Sequence, residues 1–201
     1  MKIDVHAHFY PKTYLDEVAD IIKDDSSPKG RDMQRVVSGA LGDRRMWSLE
    51  NRLEILDKFS VDMHVLSLSI PNVYFPDRGA AVSLCQLAND TFTEMARSYP
   101  ERFRVFASVP LQFPDDALRE LARVADRKEV VGLVLGANID GQPLDSADFL
   151  PIFAELERRK LPFFMHPMRP PGIECMMQHN LAPMCGYLFD STLATLRLVL
   201  A

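Results

Sequence analysis

The sequence has few cysteines, no long apolar run and no leader-like N-terminus. Its three cysteines, Cys85, Cys175 and Cys185, are too scattered for a disulfide framework, and none of them belongs to a CxxC pair. No apolar run approaches the ~20 residues of a membrane-spanning helix, and the opening MKIDVHAHF lacks the basic-then-apolar layout of a signal peptide. These absences predict reduced thiols and a cytoplasmic protein.

Basic residues are outnumbered by acidic ones. The chain has 23 Lys and Arg against 28 Asp and Glu, which gives a net charge of -5. Phosphate binding needs clustered basic side chains, so we expect no nucleic-acid partner, and the lack of a long apolar run predicts no membrane partner. A small molecule is the expected ligand. With 47% hydrophobic residues among 201, the chain can bury a real core.

Short apolar runs alternate with longer segments of helical period. This alternation predicts βα units and a parallel sheet, so the chain 1–201 is expected to form a single α/β domain. The strand candidates are residues 2–8, 62–70, 103–109, 130–136 and 161–166. The helical patterns are residues 48–59, 78–99, 114–126 and 146–160.

Two stretches interrupt the alternation. Residues 23–47 are largely polar and are expected to form a loop insertion after the first strand. Residues 167–186 follow the fifth strand and contain four prolines and four methionines. Long loops of this kind are usually functional or mobile. The methionines, together with Phe9, are expected to form an apolar wall that receives a planar substrate.

Two histidines occupy alternate positions of the first predicted strand. Because side chains alternate between the two faces of a strand, His6 and His8 project from the same face, which Asp4 shares. Buried imidazoles need partners for their ring nitrogens, and one metal ion would serve both. The spacing by itself leaves a purely structural role equally open.

A third histidine, His166, ends the fifth strand candidate and is followed by proline. It is therefore predicted at the carboxyl edge of the sheet, where parallel-sheet and barrel enzymes keep their sites. The ends of strands one and five face each other across the mouth of a closed barrel. Three imidazoles meeting there with an open position match a catalytic zinc site, and such a metal lowers the pKa of its water to about 7.

Four segments carry a family resemblance that runs along the chain from Met1 to Ala201. They are IDVHAHFYP, ENRLEILDKFSVDMHVLS, LCQLANDTFTEMARSYPERF and LDSADFLPIFAELERRKLPFFMHP. They resemble the amidohydrolase superfamily, of the amidohydrolase 2 type. Within it they are similar to aminocarboxymuconate-semialdehyde decarboxylase and related aromatic-acid decarboxylases.

The resemblance implies a (β/α)8 barrel and non-oxidative loss of CO2 from an activated carboxylate. It also implies a single divalent metal, usually zinc, held by His6, His8 and His166. The family adds a general acid–base histidine and a late aspartate ligand. Neither has a counterpart in this sequence, so the catalytic residue is unknown and is expected beyond residue 201.

Arg44 and Arg45 precede Trp47 in the first long loop, and these three residues are candidates for substrate binding. Related enzymes have a similar arrangement, and the resemblance implies that an arginine of this loop binds the substrate carboxylate. A guanidinium group suits a carboxylate because it can donate two parallel hydrogen bonds. A solvated basic pair is an equally open interpretation.

The leading function is a metal-dependent lyase that decarboxylates a small aromatic or unsaturated carboxylic acid. A hydrolase of the same superfamily, acting on a lactone or an amide, is the alternative, and a metal-binding protein without turnover is a third interpretation. A barrel of this type takes about 250 residues and only five strands fit here. We therefore expect a C-terminally incomplete barrel that, alone, is poorly soluble or a homo-oligomer and feebly active.

Overall fold

The computed structural model of the chain describes residues 1–170 and 172–201, and it contains a five-stranded sheet. Its strands are β1 (Ile3–His8), β2 (Met63–Ser67), β3 (Phe103–Ala107), β4 (Val130–Gly136) and β7 (Phe163–His166). They are parallel and lie in the order β1-β2-β3-β4-β7. A small antiparallel hairpin, β5 (Asn138–Ile139) and β6 (Gln142–Pro143), follows β4. All five strand predictions are confirmed.

Helices connect the strands and cover the outer face of the sheet. Their bounds are α1 (Lys12–Ile22), α2 (Pro28–Gly42), α3 (Leu49–Lys58), α4 (Arg78–Ser98), α5 (Pro114–Val124), α6 (Leu150–Arg159) and α7 (Tyr187–Leu200). The sheet curls, so strands and helices together form about half of a (β/α)8 barrel, as predicted. In the described part of the chain, no helix has both the length and the apolar character needed to cross a bilayer.

The main hydrophobic core lies between the sheet and the outer helices. Leu66 and Leu133 point into it from the central strands and are fully buried. Phe92 of α4 packs there too, with its ring 6.4 Å from that of Phe9. Phe9 is 2% exposed, so the expectation that it lines a substrate pocket is wrong. It is the first residue after β1, and it faces the helices because the histidines take the other face.

The segment 23–47 is not an irregular loop, and that expectation is wrong. Fifteen residues within it form helix α2. The hydroxyl of Ser27 accepts the N–H of Gly30 and caps the helix start, and proline occupies the first turn. Val37 and Ala40 are buried where α2 packs against α1. The helix is still part of the long connection between β1 and β2.

Helix α7 has one buried edge and a broad exposed apolar surface. Asp190 and Ala194 face the rest of the protein, whereas Leu188, Leu196 and Leu200 are exposed. Contiguous exposed apolar side chains commonly mark a contact surface. The helix is held in place at its polar positions rather than by deep apolar packing.

The core predicts a clear contrast between two leucine variants. Leu66→Ala should lower the free energy of unfolding by about 2–5 kcal/mol, because a fully buried leucine leaves a cavity. Leu196→Ala is the matched control, and it should change the value by less than about 0.5 kcal/mol because Leu196 is exposed on α7. Urea unfolding followed by circular dichroism measures both. Equal destabilisation by the two variants would contradict this assignment of the core.

Candidate metal centre

Three histidine side chains meet at the carboxyl end of the sheet. Nε2 of His8 lies 2.9 Å from Nε2 of His6 and 3.0 Å from Nε2 of His166. One nitrogen from each ring lies within 4.8 Å of the other two. Strand β1 supplies two of the rings and β7 the third, so the curl of the sheet joins residues 158 positions apart in sequence. The histidines selected from the sequence therefore form one cluster, and their role as metal ligands stays a prediction.

Strand β1 pairs irregularly with β2 just before the histidines. Asp4 is the partner of His64 and Ala7 is the partner of Leu66, so β1 has one residue more than β2 between them. The Oδ1 atom of Asp4 accepts the backbone N–H of His6 at 2.9 Å. Its Oδ2 atom lies 3.8 Å from Nε2 of His64. Asp4, which alternation places on the histidine face, is therefore not a member of the histidine cluster.

The surroundings favour uncharged imidazoles. Burial is the main cause that lowers the pKa of His8 to about 4, and nearby positive charge on His166 and His6 lowers it further. Burial also lowers the pKa of His166. The lowered pKa values favour the neutral form of both rings, in which a ring nitrogen keeps a lone pair. Lone pairs that face one another at this separation repel unless a proton or a cation lies between them, which makes the cluster suitable for a metal ion.

Two serines at the end of β2 contact the histidine cluster. The Oγ atom of Ser67 lies 3.1 Å from Nδ1 of His8, the ring nitrogen that faces away from the cluster. The Oγ atom of Ser69 lies 3.3 Å from Nε2 of His166, a nitrogen that faces into it. Sequence reasoning missed both serines. Their signal was the alternation of serine with the core residues Leu66 and Leu68, which places the serines on the inner face of the sheet.

Arg52 of α3 is a second residue that sequence reasoning missed. Its Nη2 donates hydrogen bonds to the carbonyl oxygen of His8 at 2.6 Å and to that of Arg45 at 2.9 Å. The guanidinium carbon lies 5.5 Å from the ring centre of Phe9, and the residue is only 9% exposed. Burial lowers the pKa of Arg52, and the charge of Asp4 opposes this effect. The side chain therefore joins the end of β1 to the turn that follows α2.

The candidate substrate residues lie in that same turn. A 3₁₀ turn at Arg44–Met46 follows α2, and its Met46 carbonyl accepts the N–H of Tyr10, just beyond β1. Arg45 is exposed, and its guanidinium group already donates to both carboxylate oxygens of Asp43. Arg44 is exposed and lies 5.9 Å from the centre of the Trp47 ring. The indole N–H of Trp47 is bound to the Leu41 carbonyl at 3.0 Å.

Two phenylalanines lie beneath the histidines on the inner face of the sheet. The rings of Phe106 and Phe164 are stacked, with centres 5.6 Å apart and planes 6° from parallel. Phe164 also meets the ring of His6 edge-on at 5.0 Å. Phe106 lies two positions before Ser108, and Phe164 lies two positions before His166. The pair therefore forms an apolar floor below the cluster.

A buried aspartate organises the loop that follows His166. Asp190 of α7 is 3% exposed; its Oδ1 accepts the side-chain amide of Asn138 at 2.8 Å and its Oδ2 accepts the backbone N–H of Met168 at 2.6 Å. The same Asn138 amide donates to the Arg169 carbonyl at 3.0 Å. Helix α7 is thus fastened to the loops after β4 and β7. Residues 172–186 of the second long loop form short turns, and Pro171 lies outside the described residues.

His64 of β2 is not part of the histidine cluster. It is 4% exposed and shares a strand face with the core residue Leu66. Its Nδ1 has no hydrogen-bond partner in the part of the chain that the structure describes. Burial lowers the pKa of His64, the charge of Arg52 adds to this effect, and the carboxylate of Asp4 opposes it.

The sequence profile of the amidohydrolase family matches residues 3–200, so this chain belongs to the amidohydrolase family. Among characterised relatives, gamma-resorcylate decarboxylase of Rhodococcus jostii is 37% identical over 129 residues, which cover 59% of this chain and 39% of that enzyme. The 2-amino-3-carboxymuconate-6-semialdehyde decarboxylase of Dictyostelium discoideum is 29% identical over 96% of this chain and 56% of the relative. The chain thus spans roughly 40 to 60% of the length of these relatives.

Solved structures of related proteins share the fold. The 5-carboxyvanillate decarboxylase of Sphingomonas paucimobilis matches with a TM-score of 0.86 at 24% identity, over 98% of this chain and 62% of that protein. A 5-carboxyvanillate decarboxylase of Novosphingobium aromaticivorans, solved with bound manganese, matches with a TM-score of 0.79 at 24% identity, over 99% of this chain and 61% of that protein. The predicted resemblance to this branch of decarboxylases is confirmed.

Proposed function

We propose that this chain supplies the metal-binding half of a non-oxidative decarboxylase, a carbon–carbon lyase for a small aromatic or unsaturated carboxylic acid. The observation that carries the proposal is the meeting of three imidazole nitrogens within 4.8 Å at the carboxyl end of a curled parallel sheet. The decarboxylase activity of the relatives supports the lyase over the alternative, a lactone or amide hydrolase with the same metal.

The proposed metal ligands are the Nε2 atoms of His6, His8 and His166. Tetrahedral zinc with Zn–N distances of about 2.0–2.1 Å places two ligand nitrogens about 3.3 Å apart. The observed separations of 2.9 and 3.0 Å are close to that value, and all three nitrogens lie within 4.8 Å of one another. The donor set therefore fits one divalent metal. Zinc is our preference for a three-histidine site, and manganese, present in a related structure, is the main competitor.

A metal bound there supplies Lewis acidity to an oxygen atom of the substrate. The other tasks belong to side chains. The stacked rings of Phe106 and Phe164 cover the inner side of the cluster, so that substrate and water approach from the mouth.

Arg44, Arg45 and Trp47 are proposed to bind the carboxylate substrate. Their turn is bonded to the chain just after the β1 histidines, which supports a place beside the mouth. Arg45 is already engaged by Asp43, so Arg44, stacked near the Trp47 ring, is the better candidate for the carboxylate.

The proposal also covers location and assembly. A cytoplasmic location is supported by the three cysteines, all of which are free thiols. A homo-oligomer is supported by the exposed apolar surface of α7, which includes Leu188 and Leu200. The expected partner is a small carboxylate, with no nucleic acid or membrane involved.

The three histidines are expected to act as one unit on the metal. Alanine at His6, His8 or His166 should sharply lower the metal bound per chain after desalting, because two remaining ligands are too few for a site that also keeps an open position. Elemental mass spectrometry gives the ratio. His179→Ala is the matched control, since that histidine is exposed in a loop, and it should keep full metal content. Full stoichiometric metal in a His6→Ala/His8→Ala double variant would show that the ligand assignment is wrong.

Product identity distinguishes the lyase from the hydrolase. The metal-loaded chain is incubated with 2,6-dihydroxybenzoate and, separately, with an aromatic lactone and an anilide. We expect CO2 and resorcinol, detected by headspace analysis and chromatography, and no opening of the lactone. Because feeble turnover is expected, the kind of product decides rather than the rate. Ring opening or amine release without CO2 would favour the hydrolase instead.

Arginine-to-lysine substitutions distinguish a residue that binds the substrate carboxylate from a surface charge. Arg44→Lys should weaken 2,6-dihydroxybenzoate binding by about tenfold, because lysine lacks the planar pair of donors. Arg45→Lys is the comparison and should have a smaller effect, because Asp43 already occupies that guanidinium group. Isothermal titration calorimetry on the metal-loaded chain measures both. Unchanged affinity in both variants would leave these residues as surface charges.

A further inference from the structure

The ring of His8 has two different environments. Its Nε2 atom lies between the corresponding atoms of His6 and His166, whereas its Nδ1 atom lies 3.1 Å from the hydroxyl of Ser67. Ser67 is the last residue of β2, is fully buried and is the register partner of His8 across the β1–β2 pair. Regular strand pairing therefore fixes the position of this hydroxyl relative to the imidazole.

We infer that Ser67 is a positioning residue that holds His8 as the tautomer with its proton on Nδ1, so that Nε2 keeps a lone pair for the metal. The inference rests on the proposed metal site. A neutral imidazole has one N–H, and the hydrogen bond made by one ring nitrogen decides which nitrogen is free to bind a metal. Without the Ser67 hydroxyl, the proton is free to move to Nε2 and block the metal-binding position.

Strand pairing also fixes the acceptor beside Nδ1, the Ser67 hydroxyl at 3.1 Å. The carbonyl oxygen of Ser67 accepts the N–H of Phe9 at 3.2 Å, so the residues that flank the ring are held by the strand pair. The ring therefore meets an acceptor on a rigid element rather than on a loop.

Ser69 provides an internal contrast. Its hydroxyl lies 3.3 Å from Nε2 of His166, the same type of nitrogen that points into the cluster. A hydroxyl in that position competes with a metal ion for the lone pair of Nε2 and does not keep that lone pair free. The two serines lie two residues apart on one face, yet only Ser67 contacts a ring nitrogen that faces away from the cluster.

The metal affinity of Ser67 variants tests this role. The dissociation constant for zinc is measured by competition with a chromogenic chelator at fixed pH for the wild type and for Ser67→Ala, Ser67→Thr and Ser67→Val. The Thr and Val variants carry the same added bulk and differ only in the hydroxyl. We expect Ala and Val to bind about 10–100-fold more weakly than the wild type, and Thr to recover most of this loss. Equal affinity in the Thr and Val variants and an unchanged value for Ala would overturn the inference.

A spectroscopic measurement tests the same point without a bulky substitution. The ¹⁵N shifts of His8 in the metal-free wild type, assigned by comparison with His8→Gln, report which ring nitrogen carries the proton. We expect the Nδ1–H form in the wild type and a mixture of the two tautomers in Ser67→Ala. A dominant Nε2–H form in the wild type would overturn the inference. A wild type that binds neither zinc nor manganese would instead overturn the proposed function, whereas normal zinc binding with unchanged Ser67→Ala affinity would overturn only the role of Ser67.

Discussion

The approach of His8 to His166 is the contact on which the site depends. Their Nε2 atoms are 3.0 Å apart, although one residue belongs to the first strand of the sheet and the other to the last. Five parallel strands must curl for these ends to meet, and the helices packed on the outer face maintain that curl. Bringing together imidazoles from such distant parts of the chain costs chain entropy, which the burial of Leu66, Leu133 and their neighbours offsets.

The supports of the cluster are held by regular structure rather than by loops. Ser67 contacts the His8 ring from the neighbouring strand, and Arg52 binds the His8 carbonyl from α3. Each contact restrains a different part of the same residue, one the ring and the other the backbone. A site held within a few tenths of an ångström needs such restraint, because a metal requires all of its ligands to be in position at once.

Much of the fold could be predicted because its signals are local. The strands are short apolar runs, and α4 and α5 show a clear helical period, so each was recognisable without knowledge of its neighbours. Helix α2 was missed because its three glycines and sparse apolar residues resemble a loop, and its stability comes from the Ser27 cap and from packing on α1. Phe9 was misplaced because its position next to the histidines suggested the site, whereas strand alternation directs it to the core.

The histidine cluster was predictable from spacing, since alternation and strand ends determine where such side chains point. Ser67, Arg52 and Asp190 were not, because each acts through a contact with a distant segment that no local pattern records. The position of Asp4 was not predictable from alternation either, because one extra residue in β1 interrupts the alternation between Asp4 and the histidines. Local sequence therefore predicted which side chains could hold a metal, and tertiary packing determined which groups orient them.

The hydrogen bonds of Asp190 give α7 a role beyond covering the sheet. One carboxylate joins the helix to Asn138 after β4 and to Met168, two residues beyond His166. The position of the loop that follows His166 therefore depends on how α7 packs against the rest of the protein. The same helix presents its leucines to solvent, so Asp190 joins an exposed apolar surface to the chain segment that leaves the histidine cluster.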